Sequence, residues 1–386
     1  HDMATAGTSR LRPLVAAGAA GAVVLAAVAL WRFKRSRCGG SQLSDMAFDD
    51  MAKEKSAVNI ALAAVGLTDS VAASACEVRP ISGGITNVLL RVTFPASSGV
   101  APVLVRRFGA EGMIDRNVED ALFAALAAEG IAPAYHGRFK NGRVEGFMVD
   151  CAVPTLDQLQ LPEFSRLIAV ETAKLHRFEP AAGLLPEKAS SLWKQIWEWF
   201  ALAKEVRMAA GSAEAAQYAE LDLDRVEARL NALQATIPST SLVCFCHNDI
   251  LFANILIHQP SGKVNLIDFE YGGYNYRAFD IANHFNEWAG GTEDGNTDYG
   301  RFPNAAQQRT FVSAYLEAYD GAAPSVDAVE ALVSEVELFV EVDNFFWGLW
   351  AVVQAGAEGC DDFPFLTYAH NRLGRAFEGK GQLTPA

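Results

Sequence analysis

The sequence predicts an α+β chain built as a small β-rich N-terminal lobe followed by a larger, mostly helical C-terminal lobe. Two observations carry this. Strand-like runs dominate up to about residue 151, and beyond it apolar residues recur mainly at helical spacing. Composition agrees, because 386 residues with 51% hydrophobic and 20% charged side chains are ordinary for a globular chain of two or three domains.

The elements follow in order. A short helix begins near Val58, and then "CEVRPI", "NVLLRVTF" and "PVLVRRF" read as strands. "RNVEDALFAALAAEG" reads as a helix with Gly130 as its stop signal. "APAYHGRF" and "RVEGFMVD" flank Asn141-Gly142, a hairpin signal, so residues 75–151 read β-β-β-α-β-β. "PEFSRLIAVETAKLHRF", "SLWKQIWEWFALAKEV" and "AEAAQYAELDLDRVEARLNAL" then carry the helical period. "LVCFC", "ANILIH" and "KVNLIDFEY" interrupt as strands, and helices resume from "NAAQQRTFVSAYLEAY" to "LTYAHNRLGRAF". The two lobes are expected at 57–152 and 153–386, with a ligand cleft between them.

The first 56 residues read differently. His1 and Asp2 look like a cloning remnant before Met3, which makes 1–13 a flank. Residues 14–31 are an uncharged, alanine-rich run of 18, followed by the basic "RFKRSR". That run is near the lower limit for a membrane span, and the basic flank after it would keep the rest of the chain cytoplasmic. A membrane anchor is the expectation; a cleaved targeting peptide and a disordered tail are the alternatives. Residues 32–56 read as basic flank and linker. A net charge of −14 disfavours nucleic acid as a partner. The six cysteines form no C-x-x-C pair, which fits thiols packed in a reducing compartment better than a zinc site.

The chemistry lies in "CFCHNDILFANILI". Asp249 and Asn254 have the spacing D-x-x-x-x-N, and fourteen residues after Asn254, Asp268 ends the apolar run "VNLI". A carboxylate among apolar neighbours is costly unless paired. The pattern matches the catalytic core of protein-kinase-like phosphotransferases. Phosphoryl transfer needs a base that orients the attacking hydroxyl, for which Asp249 is the candidate. It also needs Mg²⁺, a hard ion that takes oxygen ligands such as those of Asn254 and Asp268. ATP then belongs in the β-rich lobe. "ISGGITN", with Ser82, Gly83, Gly84, Thr86 and Asn87, can bring backbone N–H groups to phosphates. Arg106 or Arg107 can supply a phosphate-binding cation, and Arg106 alternates onto the face of Leu104 and Phe108. Glu119 in the following helix is its expected ion-pair partner.

On these residues a resemblance becomes specific. "HNDILFANIL" and "IDFEYGGYNYRAFDIANHFNEWAG" resemble the choline/ethanolamine kinase family, and "FFWGLWAVVQA" resembles that family's second signature. The similarity runs from about residue 58 to 378. It implies a bilobal, protein-kinase-like fold and the use of ATP and Mg²⁺ to phosphorylate the hydroxyl of ethanolamine or choline for phospholipid head-group synthesis. It implies Asp249 as base, Asn254 and Asp268 on Mg²⁺, and Arg106 with the "SGGITN" loop at the ATP phosphates. It also implies an amino-alcohol pocket containing Glu287, Tyr299, Trp347, Trp350, Phe363 and Tyr368, and a second copy of the chain as a partner. A quaternary ammonium donates no N–H, so aromatic faces and a carboxylate are what can hold it. Trp347 and Trp350 are spaced i, i+3 and share a helix face. His284 and Asp280 read as structural hydrogen-bonders.

Three positions depart from the family pattern. Arg107 stands where an aliphatic residue is expected, and Asp343-Asn344 where Ser and His are expected. Asp343 lies one turn before Trp347, so a second carboxylate at the cage is expected if it faces inward. With the "GGITN" loop, that gives a lean to ethanolamine over choline. The competing readings are an aminoglycoside- or sugar-phosphorylating relative, which should lack the Trp pair, and a membrane-anchored pseudokinase scaffold, against which the filled catalytic positions argue.

Overall fold

The computed structural model describes residues 40–81, 87–109, 115–360 and 362–378. The expected anchor at 14–31 and the loop residues Ser82, Gly83, Gly84 and Thr86 lie outside the described residues. Among the described residues no helix is long and apolar enough to cross a membrane. The chain forms two compact units, one of residues up to 80 with 89–107 and 136–144, the other of 81–88, 108–135 and 145 onward.

The first unit is built on strands β1 (Glu77–Pro80), β2 (Val88–Thr93), β3 (Val103–Arg107), β4 (Tyr135–Phe139) and β5 (Gly142–Gly146), in the sheet order β1-β2-β3-β5-β4. With helix α3 (Arg116–Ala128) between β3 and β4, the order is the expected β-β-β-α-β-β. Val92, Val103, Val105, Phe139 and Val144 alternate into its core. Helix α2 (Lys53–Val65) packs Ala57, Val58, Ile60, Ala61 and Leu62 inward and ends at Gly66, whose φ of 73° suits only glycine without strain. The hairpin differs from expectation by one residue. Its turn is Lys140-Asn141, and Gly142 opens β5. The glycine is needed for close approach, because a Cβ there would sit 2.1 Å from the Arg106 carbonyl oxygen.

Part of the segment read as linker is packed. Leu43 in helix α1 (Gly40–Asp45) and Phe48 after it are buried, the Lys140 N–H donates to Met46 O, and Asn141 bonds both backbone groups of Phe48. An alternating, polar-looking stretch hid two anchoring side chains.

The second unit takes in α3 and continues with β6 (Cys151–Ala152), α4 (Leu156–Leu159), α5 (Pro162–His176) and α6 (Leu192–Glu205). The run "AEAAQYAELDLDRVEARLNAL" breaks into α7 (Ala213–Ala219) and α8 (Leu223–Gln234), because Asp222, at φ 44°, turns the chain and caps Arg225 N. Strands β7 (Val243–Cys246), β8 (Ile255–His258), β9 (Val264–Leu266) and β10 (Gly273–Tyr276) follow, then α9 (Arg277–Glu287), α10 (Ala305–Asp320), α11 (Val326–Glu358) and α12 (Phe365–Glu378). Strand β10, paired antiparallel with β7, was not expected from sequence. Helix α11 is 33 residues long and is the axis of this unit, packing against α6, α9, α10 and α12. Its residues Val336, Phe339, Val342, Phe345 and Leu349 are fully buried.

Candidate active site

The segment that carries the candidate base starts where β7 ends. His247, Asn248 and Asp249 are all buried, and α9 makes this possible. Asp280 accepts from the backbone N–H of His247 (2.8 Å) and of Asn248 (2.6 Å), and Asn283, a turn later, accepts from Ile250 N (2.6 Å). His284 completes the cradle. Its Nε2 accepts from Trp288 Nε1 at 3.2 Å, so its Nδ1 carries the proton and donates to Ile250 O at 3.1 Å. Burial pushes the His284 pKa down to about 4. Asp280 is fixed in turn by His176 Nε2 (2.9 Å), whose Nδ1 meets Tyr315 Oη (2.8 Å). Burial alone would depress the His176 pKa, but Cys244 and Asp280 outweigh it and raise it to about 10. Neither Asp280 nor His284 touches the cavity described below; both are structural hydrogen-bonders.

Local geometry explains the motif spacings. Asn248 takes φ 67°, with its side chain bonded to Tyr271 O and Asn275, so the chain turns sharply before Asp249. A 3₁₀ turn at Phe252–Asn254 then folds Asn254 back, and its amide donates to both Asp249 O and Asp249 Oδ2 at 2.9 Å. The hairpin of β8 and β9 pairs Ile255 with Leu266, and Ile267 N donates to Asn254 O at 2.9 Å. Asn254 and Asp268 therefore emerge at the same end of one hairpin, and Asp268 turns away from the strand at φ 63°.

These side chains share a cavity of about 580 Å³. Its lining includes the polar side chains Asp249, Asn254, Asp268 and Glu270 and the aromatic side chains Tyr271, Trp347, Trp350, Phe363 and Tyr368. The Trp347 and Trp350 rings lie 5.3 Å apart at 73°, and Trp347 meets Tyr271 at 5.3 Å and 79°. Trp350 Nε1 donates to Tyr271 Oη at 3.1 Å. Edge-to-face packing of this kind fixes the rings and leaves faces for a ligand. Burial pushes the Asp249 carboxyl well above the usual range, helped by Glu287, Asp268 and Glu270 and opposed by Asn254. The site thus holds a surplus of negative charge that a cation relieves.

Of the residues singled out from sequence, Asn87, Asp249, Asn254, Asp268, Trp347, Trp350, Phe363 and Tyr368 come together on this one cavity. The other described ones are placed elsewhere. Glu287, 2% exposed, lies off the cavity wall, with Oε1 bonded to Arg372 Nη1 at 2.7 Å; Oε2 has no hydrogen-bond partner among the described residues. Tyr299 donates to Asn344 Oδ1 at 2.9 Å and carries the Arg375 guanidinium 4.9 Å from its ring centroid. Glu119 is buried and pairs with Arg116 at 2.8 Å, which also reaches Glu270 at 3.2 Å. Arg106 is buried on β3, and Arg107 pairs with Asp50 at 2.8 Å.

The expectation for Asp343 is corrected. Its carboxylate does not face the cage: Oδ1 accepts from Asn283, and Oδ2 from Asn286 and from Arg372 Nη2 at 2.6 Å. Helix α11 is enclosed on several sides, so sharing a turn with Trp347 does not mean sharing its cavity. Sequence reading also missed Glu270, Tyr271 and Arg372. The first two stand just past Asp268, where proximity was the available signal. Arg372, wholly buried, had only its i, i+4 spacing from Tyr368.

The family model described as choline/ethanolamine kinase matches residues 78–377. The chain belongs to the choline/ethanolamine kinase family. It is 37% identical to ethanolamine kinase 2 of Rattus norvegicus over 78% of this chain and 75% of that protein. It is 31% identical to probable choline kinase 2 of Arabidopsis thaliana over 82% of this chain and 89% of that one. Among solved structures, a Plasmodium vivax ethanolamine kinase superposes with a TM-score of 0.70 at 29% identity, covering 79% of this chain and 83% of that chain. A choline kinase from Cryptosporidium parvum gives 0.69 at 25% identity, covering 83% and 94%. The fold is thus protein-kinase-like, a β-sheet lobe and a larger helical one. Membership of this kinase family implies ATP and a divalent metal, with a small alcohol as acceptor. The residues present fit the metal. The donors among the polar lining side chains are oxygens, and Asn254 has committed its N–H groups to Asp249, which leaves its carbonyl oxygen for a hard cation.

Proposed function

We propose that this chain phosphorylates the hydroxyl of ethanolamine with ATP and Mg²⁺, accepts choline less well, and thereby supplies head groups for phospholipid synthesis. The observation that carries the proposal is that Asp249, Asn254 and Asp268 line the same cavity as Tyr271, Trp347 and Trp350. Asp249 orients the substrate hydroxyl and takes its proton as the oxygen attacks the γ-phosphorus of ATP and the bond from that phosphorus to ADP breaks; a carboxylate whose pKa is raised by burial is a better base than a solvated one. Asn254 and Asp268 hold Mg²⁺, which neutralises phosphate charge when bound. The aromatic faces take the ammonium, with cation–π contacts of roughly 0.5–2 kcal/mol each. Glu287 adds negative potential from behind them. Within this proposal ATP belongs to the lobe at 57–152, with its phosphates at Arg106 and the 82–87 loop and Glu119 as the supporting carboxylate. The lobe at 153–386 carries the acceptor site, to which Tyr299 contributes from behind the wall.

The lean to ethanolamine no longer draws on Asp343. It is supported by similarity: mammalian ethanolamine kinases match at 34–37% identity, probable plant choline kinases at 30–31%. A coupled assay of ADP release across ethanolamine, choline and an aminoglycoside tests it. The highest kcat/KM should be with ethanolamine. Preference for choline overturns the lean, and turnover of the aminoglycoside alone overturns the proposed function.

A further inference from the structure

We infer that Asp343 is a charge-balancing residue for amino-alcohol binding: by absorbing the charge of Arg372 it keeps Glu287 a net negative group behind the aromatic lining. The inference rests on the function proposed above. Arg372 is wholly buried, and its guanidinium bridges two carboxylates and a wall residue. Nη1 donates to Glu287 Oε1 at 2.7 Å and to Tyr368 Oη at 3.2 Å, and Nη2 donates to Asp343 Oδ2 at 2.6 Å.

Arg372 and Glu287 alone would sum to zero, and a neutral pair attracts a cation only weakly. Asp343 makes the sum negative. The excess is not shared evenly. Both Asp343 oxygens are taken up, by Asn283 at 3.1 Å and by Asn286 at 2.8 Å together with Arg372. Glu287 instead keeps Oε2 without a hydrogen-bond partner among the described residues. The uncompensated charge therefore sits on Glu287, which adjoins the cavity through Arg372: the Nη1 that donates to Glu287 Oε1 at 2.7 Å also donates to the lining residue Tyr368 at 3.2 Å. Burial raises both Glu287 and Asp343, and the guanidinium beside them opposes it.

The test is charge discrimination. It is the ratio of kcat/KM for choline to that for its neutral carbon isostere, in which a tert-butyl group replaces trimethylammonium. A ratio measured within one variant is insensitive to general loss of activity. Asp343→Asn should lower it about tenfold, or 1.4 kcal/mol, mainly through the KM of choline. Adding Arg372→Gln to Asp343→Asn should restore most of it, whereas a packing role predicts that the double variant is worse. Arg372→Gln alone should raise or hold the ratio, so a sign is read even if Asp343→Asn does not fold. An unchanged ratio in Asp343→Asn, a further fall in the double variant, or a fall in Arg372→Gln overturns the inference and leaves the proposed function standing. Failure of the unaltered enzyme to turn over any amino alcohol overturns both.

Discussion

Asp249 shows how a single residue is prepared for chemistry. Its backbone direction comes from Asn248 in the left-handed region, its carboxylate orientation from the Asn254 amide, and its raised pKa from burial among Glu287, Asp268 and Glu270. Changing it to Asn keeps the shape and removes the proposed base. Asp249→Asn should lower kcat by roughly 10²-fold or more, the usual scale for general base catalysis, while ATP binding measured by titration is retained. Near-normal turnover would remove Asp249 from the role.

At the scale of elements, α9 acts as a clamp on the backbone of residues 247–250, and its grip depends on pH through His284. The folded state needs the neutral ring, which accepts from Trp288 and donates to Ile250. Its folded pKa of about 4 lies below the unfolded value of about 6.5, so the unfolded chain binds the extra proton first as pH falls. The contribution is complete above about pH 6.5 and disappears progressively toward pH 4. The stability gap between wild type and His284→Gln should therefore shrink by about 2 kcal/mol between about pH 7.5 and pH 5, read from urea midpoints; an equal gap at both would refute it. The α11–α12 contact gives a second case. A Cβ on Gly348 would lie 2.7 Å from Leu373 Cδ2 and 2.8 Å from its Cγ. Overpacking costs about 1–3 kcal/mol against a helix-propensity gain of at most about 1. Gly348→Ala should thus lower Tm. It should also raise the KM of the amino alcohol more than that of ATP, because Trp347 and Tyr368 ride on these two helices. A rise in Tm would show that Leu373 yields freely.

For the whole chain, the question is where the folded body begins. Leu43 and Phe48 are buried, and burying such side chains is worth roughly 1.5–3 kcal/mol each. A chain starting at Gly40 should keep the turnover of the full chain, whereas one starting at Asp49 should unfold at lower temperature. The segment 14–31 is expected to carry the full chain, and not the shorter one, onto anionic vesicles in a flotation assay. Equal flotation of both would remove the anchor, and lower turnover on starting at Gly40 would give the first 39 residues a role in catalysis.

Much of the site was legible because its geometry is local. D-x-x-x-x-N closes through one 3₁₀ turn, Asp268 follows from the register of one hairpin, and Trp347 and Trp350 share a face because helices repeat every 3.6 residues. The β-β-β-α-β-β order was legible for the same reason. Tertiary packing decided the rest. It paired β10 with β7 and buried Leu43 in a segment that reads as linker. It also put Asp343 on Arg372 instead of on the substrate cage. Periodicity tells which side of a helix is apolar. It does not tell which partner a second helix brings to a buried charge, and that partner fixes what the charge can do.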